Sequence, residues 1–256
     1  MEHLPVEVIG NILSRLGGAR DVVIASVTCR KWREASRKHL HTLAFNSNDL
    51  PPYRDITPKQ LEILITQTIF QTTGLQGLSI LMDDIDDVSV IHLDIGETID
   101  NLEVVDVSNF TIIWPKFYQM ISRSSKLRKL RLWDVAFDDE DEVVDLETIA
   151  VCFPQLKHLA LSYELRDGVM HYGLQGSSNL ENVMVLELGW TVINDLFSHW
   201  VEELLKRCPN LRKMIIFGSV SEVKSHEECQ ILANFTSSIV QLMRKYMNVE
   251  VHFEFE

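Results

Sequence analysis

Two acidic runs, Asp83-Asp84-Ile85-Asp86-Asp87 and Asp138-Asp139-Glu140-Asp141-Glu142, are the densest groups of potential metal ligands in the chain. A calcium loop needs a glycine turn and a fixed ligand spacing, and neither run has them. Both therefore read as solvated loops whose charge could steer a basic segment toward the protein. The nine histidines are scattered: His39 and His41 flank a strand start and His199 falls on an amphipathic helix, which are surface or packing positions. Cys29, Cys152, Cys208 and Cys229 lie far apart with no CxxC pair. They read as reduced thiols of a cytosolic or nuclear protein, with Cys152 and Cys208 packing before strands, and not as a disulfide frame or zinc site. The chain has no GxSxG, no Gly-rich phosphate loop, no HExxH and no dinucleotide fingerprint. No catalytic residue, metal or cofactor is expected from it, so its work must be binding.

The charge is unevenly placed. Of a net −13 over 256 residues, residues 1–45 hold seven Lys/Arg and four Asp/Glu, a net of +3, and the rest carries −16. A basic head on an acidic body points to two modules with different partners. Nucleic-acid binding by the body is disfavoured, because phosphate contacts need concentrated positive charge. No apolar run approaches the roughly 18 residues of a membrane span, and Glu2 and Pro5 stand where a secretory signal would need a basic start and an unbroken apolar core. The sequons at Asn109 and Asn234 are then without consequence.

The head begins "LPVEVIGNILSRL". Ile9, Ile12, Leu13 and Leu16 follow the i, i+3, i+4, i+7 rule of an amphipathic helix, Pro5 suits its first turn and Gly17-Gly18 stops it. A second short helix starts near Asp21, a possible N-cap, and runs through Val22, Val23 and Ile24. A third starts near Thr28 and carries Trp32 among Arg30, Lys31, Arg33, Arg37 and Lys38. Three short helices in about 40 residues bury too little to stand alone and need a partner or a neighbouring domain. Periodicity leaves open whether they are a docking surface or a cap on the body.

"LPVEVIGNILSRL" followed by "ASVTCRKWR" resembles the F-box, the helical motif that docks onto the Skp-type adaptor of cullin ubiquitin ligases. Leu4, Pro5, Glu7, Ile12, Leu13 and Leu16 match its first helix, and Asp21, Val22, Ser26, Val27, Arg30, Trp32 and Arg33 its second half. The Gly-Gly-Ala-Arg connector departs from the family, which more often has a shorter turn. The resemblance implies an adaptor-binding set of Leu4, Pro5, Ile9, Ile12, Leu13, Leu16, Val22 and Trp32.

The body repeats. LxxLxL or a conservative variant starts at Leu102, Leu127, Leu156, Val183 and Leu211, at separations of 25, 29, 27 and 28 residues, the range of leucine-rich repeats. "LHTLAF" from Leu40 and "LQGLSI" from Leu75 are degenerate members. Alternate apolar residues of each strand should point inward and those between them to one shared outer face. Helices are expected after Thr57-Pro58, after Asn194, and after a Ser225/Glu228 capping box, with "VEVHFEF" closing the chain as a strand. One stretch breaks the pattern: Val88–Leu93 reads as a strand too close to both neighbours, as if further repeats were missing there.

"CFPQLKHLALS" and "RCPNLRKMIIF" resemble the phrasing of F-box/leucine-rich-repeat proteins, especially plant ones. The expectation is thus an α+β chain: an F-box over 1–45, then a short leucine-rich-repeat solenoid over 46–256 with a C-terminal helix-strand cap and an irregular join at about 82–100. The implied function is a substrate receptor of an SCF-type ubiquitin ligase, bound to the adaptor and through it to a cullin, and presenting a protein client. The client face would include Lys129, Arg131 and Trp133, His158, Glu187, Lys213 and Phe217, unless Trp133 packs over a neighbouring strand. Two other readings stay open. A shortened chain could compete with intact receptors for adaptor, and some plant relatives are hormone co-receptors with an inositol-phosphate cofactor, which this short acidic body fits poorly.

Overall fold

In a computed structural model the described residues are 4–255, except 17, 47–57, 83–98, 138–142, 163–164, 167–168, 171, 175, 192–194 and 219–225. Both acidic runs, Thr57, Asn194, Ser225 and Val88–Leu93 lie outside them. The chain forms two compact units, one of Met1–Leu127 with Val135–Glu140, the other of Arg128–Asp134 with Asp141–Glu256.

The first unit opens with α1 (Val6–Leu13), α2 (Ala19–Thr28) and α3 (Arg30–His39). Helix α1 starts behind Pro5, whose fixed φ costs nothing at that boundary. Helix α2 starts two residues ahead of Asp21, after Gly18, so Asp21 acts as first-turn charge and not as N-cap. Next come β1 (Thr42–Asn46), α4 (Pro58–Gln71), β2 (Gly77–Leu81), β3 (Val104–Ile112) and α5 (Trp114–Ile121). The strands β1, β2 and β3 pair in parallel, Thr42 opposite Gly77 and Gly77 opposite Val104. Ile65 and Ile69 of α4, and Trp114, Phe117, Met120 and Ile121 of α5, are buried.

The second unit is built on the same plan. It holds β4 (Lys129–Phe137, through Asp134), β5 (Val144–Asp145), α6 (Leu146–Cys152), β6 (His158–Ser162), β7 (Leu165–Arg166), β8 (Val169–Met170), β9 (Tyr172–Gly173), β10 (Val185–Thr191), α7 (Asp195–Arg207), β11 (Lys213–Gly218), α8 (His226–Lys245) and β12 (Glu250–Phe255). Strands β4, β6, β10, β11 and β12 form a parallel ladder in chain order, with Lys129, His158, Val185, Lys213 and Glu250 in one row. At each step a strand-entry N–H reaches the carbonyl one repeat back: Lys157 to Arg128, Met184 to Lys157, Arg212 to Met184, Glu250 to Arg212. Asn182 and Asn210 likewise donate their side-chain amides to Pro154 O and Glu181 O at 2.7 and 2.8 Å, fixing the turns that precede the strands.

The repeat leucines explain both units. All three apolar positions of the seven repeats, from Leu40, Leu43 and Phe45 to Leu211, Met214 and Ile216, are no more than 4% exposed. The degenerate first two members are as deeply buried as the clear ones. Since each fully buried aliphatic side chain contributes about 1.5–3 kcal/mol, these positions form the main apolar core of each unit. Cys208 is buried in the second unit, and burial pushes its thiol up to about 12, which makes it inert packing.

Candidate functional site

The head divides its apolar residues between two destinations. Ile9, Leu13 and Ala35 are fully buried in a small core, with Leu4, Val6, Leu16, Ala25 and Trp32 packed partly buried against them. Gly10 permits this contact: a Cβ there would lie 2.3 Å from His39 Cβ, so only glycine lets α1 meet α3 so closely. Val22 is also buried. Ile9, Leu13 and Val22, three members of the set implied by the motif, are thus buried within the head. Among the set's other members Pro5 and Ile12 are exposed, and Leu4, Leu16 and Trp32 are half-buried.

The second destination is solvent. Val8 and Ile12 on α1 are 41% and 39% exposed, and Ile24 and Val27 on α2 are 51% and 66% exposed. Val8 and Ile12 are one turn apart, so with Pro5 before them they form a stripe on one side of α1. Val8, Ile24 and Val27 were absent from the implied adaptor set. The signal for them was already visible: α1 has apolar residues at 6, 8, 9, 12 and 13, more than one buried face can use.

The second candidate face lies on the ladder of the second unit. Lys129 and His158 share one row with Lys213, and Arg131 and Glu187 share the next. His158 Nε2 sits 2.8 Å from Glu187 Oε1. The His158 ring at that distance, first of all, holds the Glu187 carboxyl below the usual carboxylate range against its desolvation, helped by the charges of Lys129 and Arg131. A depressed carboxylate stabilises the fold above its ordinary pKa and loses that contribution as pH falls through its lower folded value. Acid titration followed by circular dichroism should thus show Glu187→Gln less stable than native at neutral pH, with the gap closing below about pH 4.

Trp133 is placed differently from an exposed anchor. It is only 9% exposed, and its ring lies against Gly189, where a Cβ would come within 2.5 Å of the indole. Phe217 meets it edge-on at 5.0 Å, and the Arg131 guanidinium stands 4.6 Å above its ring. Of the seven residues expected on the client face, the structure brings all onto one ladder, but Trp133 covers the strands beneath it.

No group of three or more His, Cys, Asp or Glu among the described residues is arranged to hold a metal. No described helix is long and apolar enough to cross a membrane.

A family model described as F-box-like matches residues 1–44. An F-box/LRR-repeat protein of Arabidopsis thaliana is 46% identical over 419 aligned residues, which take in 100% of this chain and 100% of the relative. Since this chain has 256 residues, 163 of the 419 positions stand opposite gaps in it. With its N-terminal helices matched as F-box-like and its whole length aligned at that identity, this chain belongs to the plant F-box/LRR-repeat proteins.

Proposed function

We propose that the head docks onto the Skp-type adaptor of an SCF-type cullin ubiquitin ligase, and that the repeat body, a short solenoid, presents a protein client. The observation that carries this is the exposed apolar stripe of Val8 and Ile12 on α1, with Ile24 and Val27 also exposed on α2, within the F-box-like residues. Four exposed branched aliphatics on two helices of an otherwise charged head mark protein-binding surface. The chain performs no chemistry in this reading. It raises the effective concentration of client lysines near the transfer machinery, in the cytosol or nucleus, without nucleic acid or membrane. Calorimetry of the full chain with a Skp-type adaptor tests it: saturable one-to-one binding is expected, and no heat from folded protein would remove it.

A second reading is favoured by the alignment. Neighbouring strands start 27 residues apart, as from Gly77 to Val104 and from His158 to Val185, so the 163 gapped positions equal about six such periods. A chain that lost whole repeats would keep its ladder in register and its adaptor surface, yet give up client surface. It would then compete with longer receptors for adaptor. Ubiquitination of a captured client by the assembled ligase supports the first reading; adaptor binding that only inhibits a longer receptor supports the second.

A further inference from the structure

We propose that the head carries a binding site for a small phosphate-bearing anion between α2, α3 and α4. These helices line an open pocket of about 340 Å³. Its donors come in two i,i+4 pairs, Arg33 and Arg37 on α3 and Gln67 and Gln71 on α4. Residues four apart share a helix face, so each helix presents two donors to one space. The C-terminal ends of α3 and α4 are tied together: Thr73 donates from its backbone N–H and its hydroxyl to Arg37 O, at 3.1 and 2.7 Å.

The pocket's other polar groups are already engaged. Ser26, Ser36, Thr68 and Thr72 each donate to a backbone carbonyl three or four residues earlier on their own helix. The guanidinium and amide groups are therefore the donors left for a ligand. Among the described residues no carboxylate lines the pocket, although the chain has 37 acidic residues against 24 basic ones. Arg37 also suits the last turn of α3, where positive charge complements the helix dipole. That accounts for neither Arg33 nor the glutamine pair.

Two guanidiniums one turn apart repel until a dianion lies between them, and the planar fork of each binds phosphate oxygens in pairs. The volume is near the lower end of small-molecule sites, enough for one or two phosphoryl groups. Val27 of the proposed docking surface also lines the pocket, so the site is tested on the chain without adaptor.

Calorimetric titration of the full chain with inorganic pyrophosphate at low salt tests it. Saturable binding is expected, weakened at least tenfold by Arg33→Gln with Arg37→Gln. Arg30→Gln, on the same helix but outside the pocket, should change it less than twofold. Gln67→Ala with Gln71→Ala keeps every charge and should still weaken binding severalfold, which separates a built site from general attraction; it also serves if the arginine variant fails to fold. Unchanged affinity in both pocket variants, or an equal loss in Arg30→Gln, overturns the site. Binding of a phosphoserine peptide without any response to pyrophosphate overturns the small-ligand assignment.

Discussion

Aspartate at both Val8 and Ile12 should abolish adaptor binding and leave the chain folded. Both side chains are about 40% exposed in the free protein, so the folded state loses little apolar burial when they are replaced. Exposed substitutions of this kind usually change stability by no more than about 0.5 kcal/mol, and an acid at position 8 lies in the first turn of α1, where it suits the helix dipole. The complex loses far more. Burying a valine and an isoleucine completely is worth about 1.5–3 kcal/mol each, and with about 40% of each left to bury the pair supplies about 1.2–2.4 kcal/mol. At 1.4 kcal/mol per tenfold, that is about one to two powers of ten in Kd, before the cost of burying unpaired carboxylates. Calorimetry should record no heat with the variant, against an unchanged far-ultraviolet spectrum. Ile9→Asp is the contrasting control: Ile9 sits in the small core with Leu13 and Ala35, so it should unfold the head and lose binding by a different route. Native-like affinity in the double variant would sink the docking reading.

The contrast between Ile9 and Ile12 also shows what the sequence could reveal and what it could not. The i, i+3, i+4, i+7 rule finds a helix and its apolar residues, but of the set it picked here Ile9 and Leu13 pack inward while Ile12 stays exposed. A helix that serves both a core and a partner has two apolar faces, and periodicity does not rank them. Only the packing of α1 on α3 through Gly10 shows that Ile9 and Leu13 are used up and Val8 and Ile12 are not. The repeats were far more legible because the same three positions recur every 25–29 residues from Leu75 onward, and "LHTLAF", 35 residues before "LQGLSI", still shows the same apolar spacing. Helices α5 and α6, of eight and seven residues, went unread. Helix α6 is announced by its cap, Asp145, whose carboxylate accepts from Glu147 N at 3.0 Å. A lone aspartate after an acidic run gives no such signal in sequence.

Trp133 carries the second large effect. Its type and its place on a strand face allowed two readings, an exposed anchor for a client, since tryptophan and arginine dominate interface energies, or packing over a neighbouring strand. The structure spends the ring internally: Gly189 supplies the flat bed, Phe217 the edge contact, and Arg131 covers the upper face. Trp133→Ala should therefore destabilise the second unit by about 3–5 kcal/mol, the usual cost of removing a buried aromatic, with the lost Phe217 pair accounting for about 0.5–1.5 kcal/mol of it. Urea denaturation of the full chain would read this directly. Gly189→Ala should act from beneath, because its methyl group and the indole would need the same space; overpacking of this sort costs about 1–3 kcal/mol. A Trp133→Ala chain of native stability that fails to capture client would instead restore the anchor role. If the ring is packing, the part of this ladder left to touch a client is its charged rows: Lys129 and Lys213 around the His158–Glu187 pair, and Arg131 above the indole. Recognition there would be electrostatic and salt-sensitive, favouring a client segment with exposed carboxylates over an apolar one.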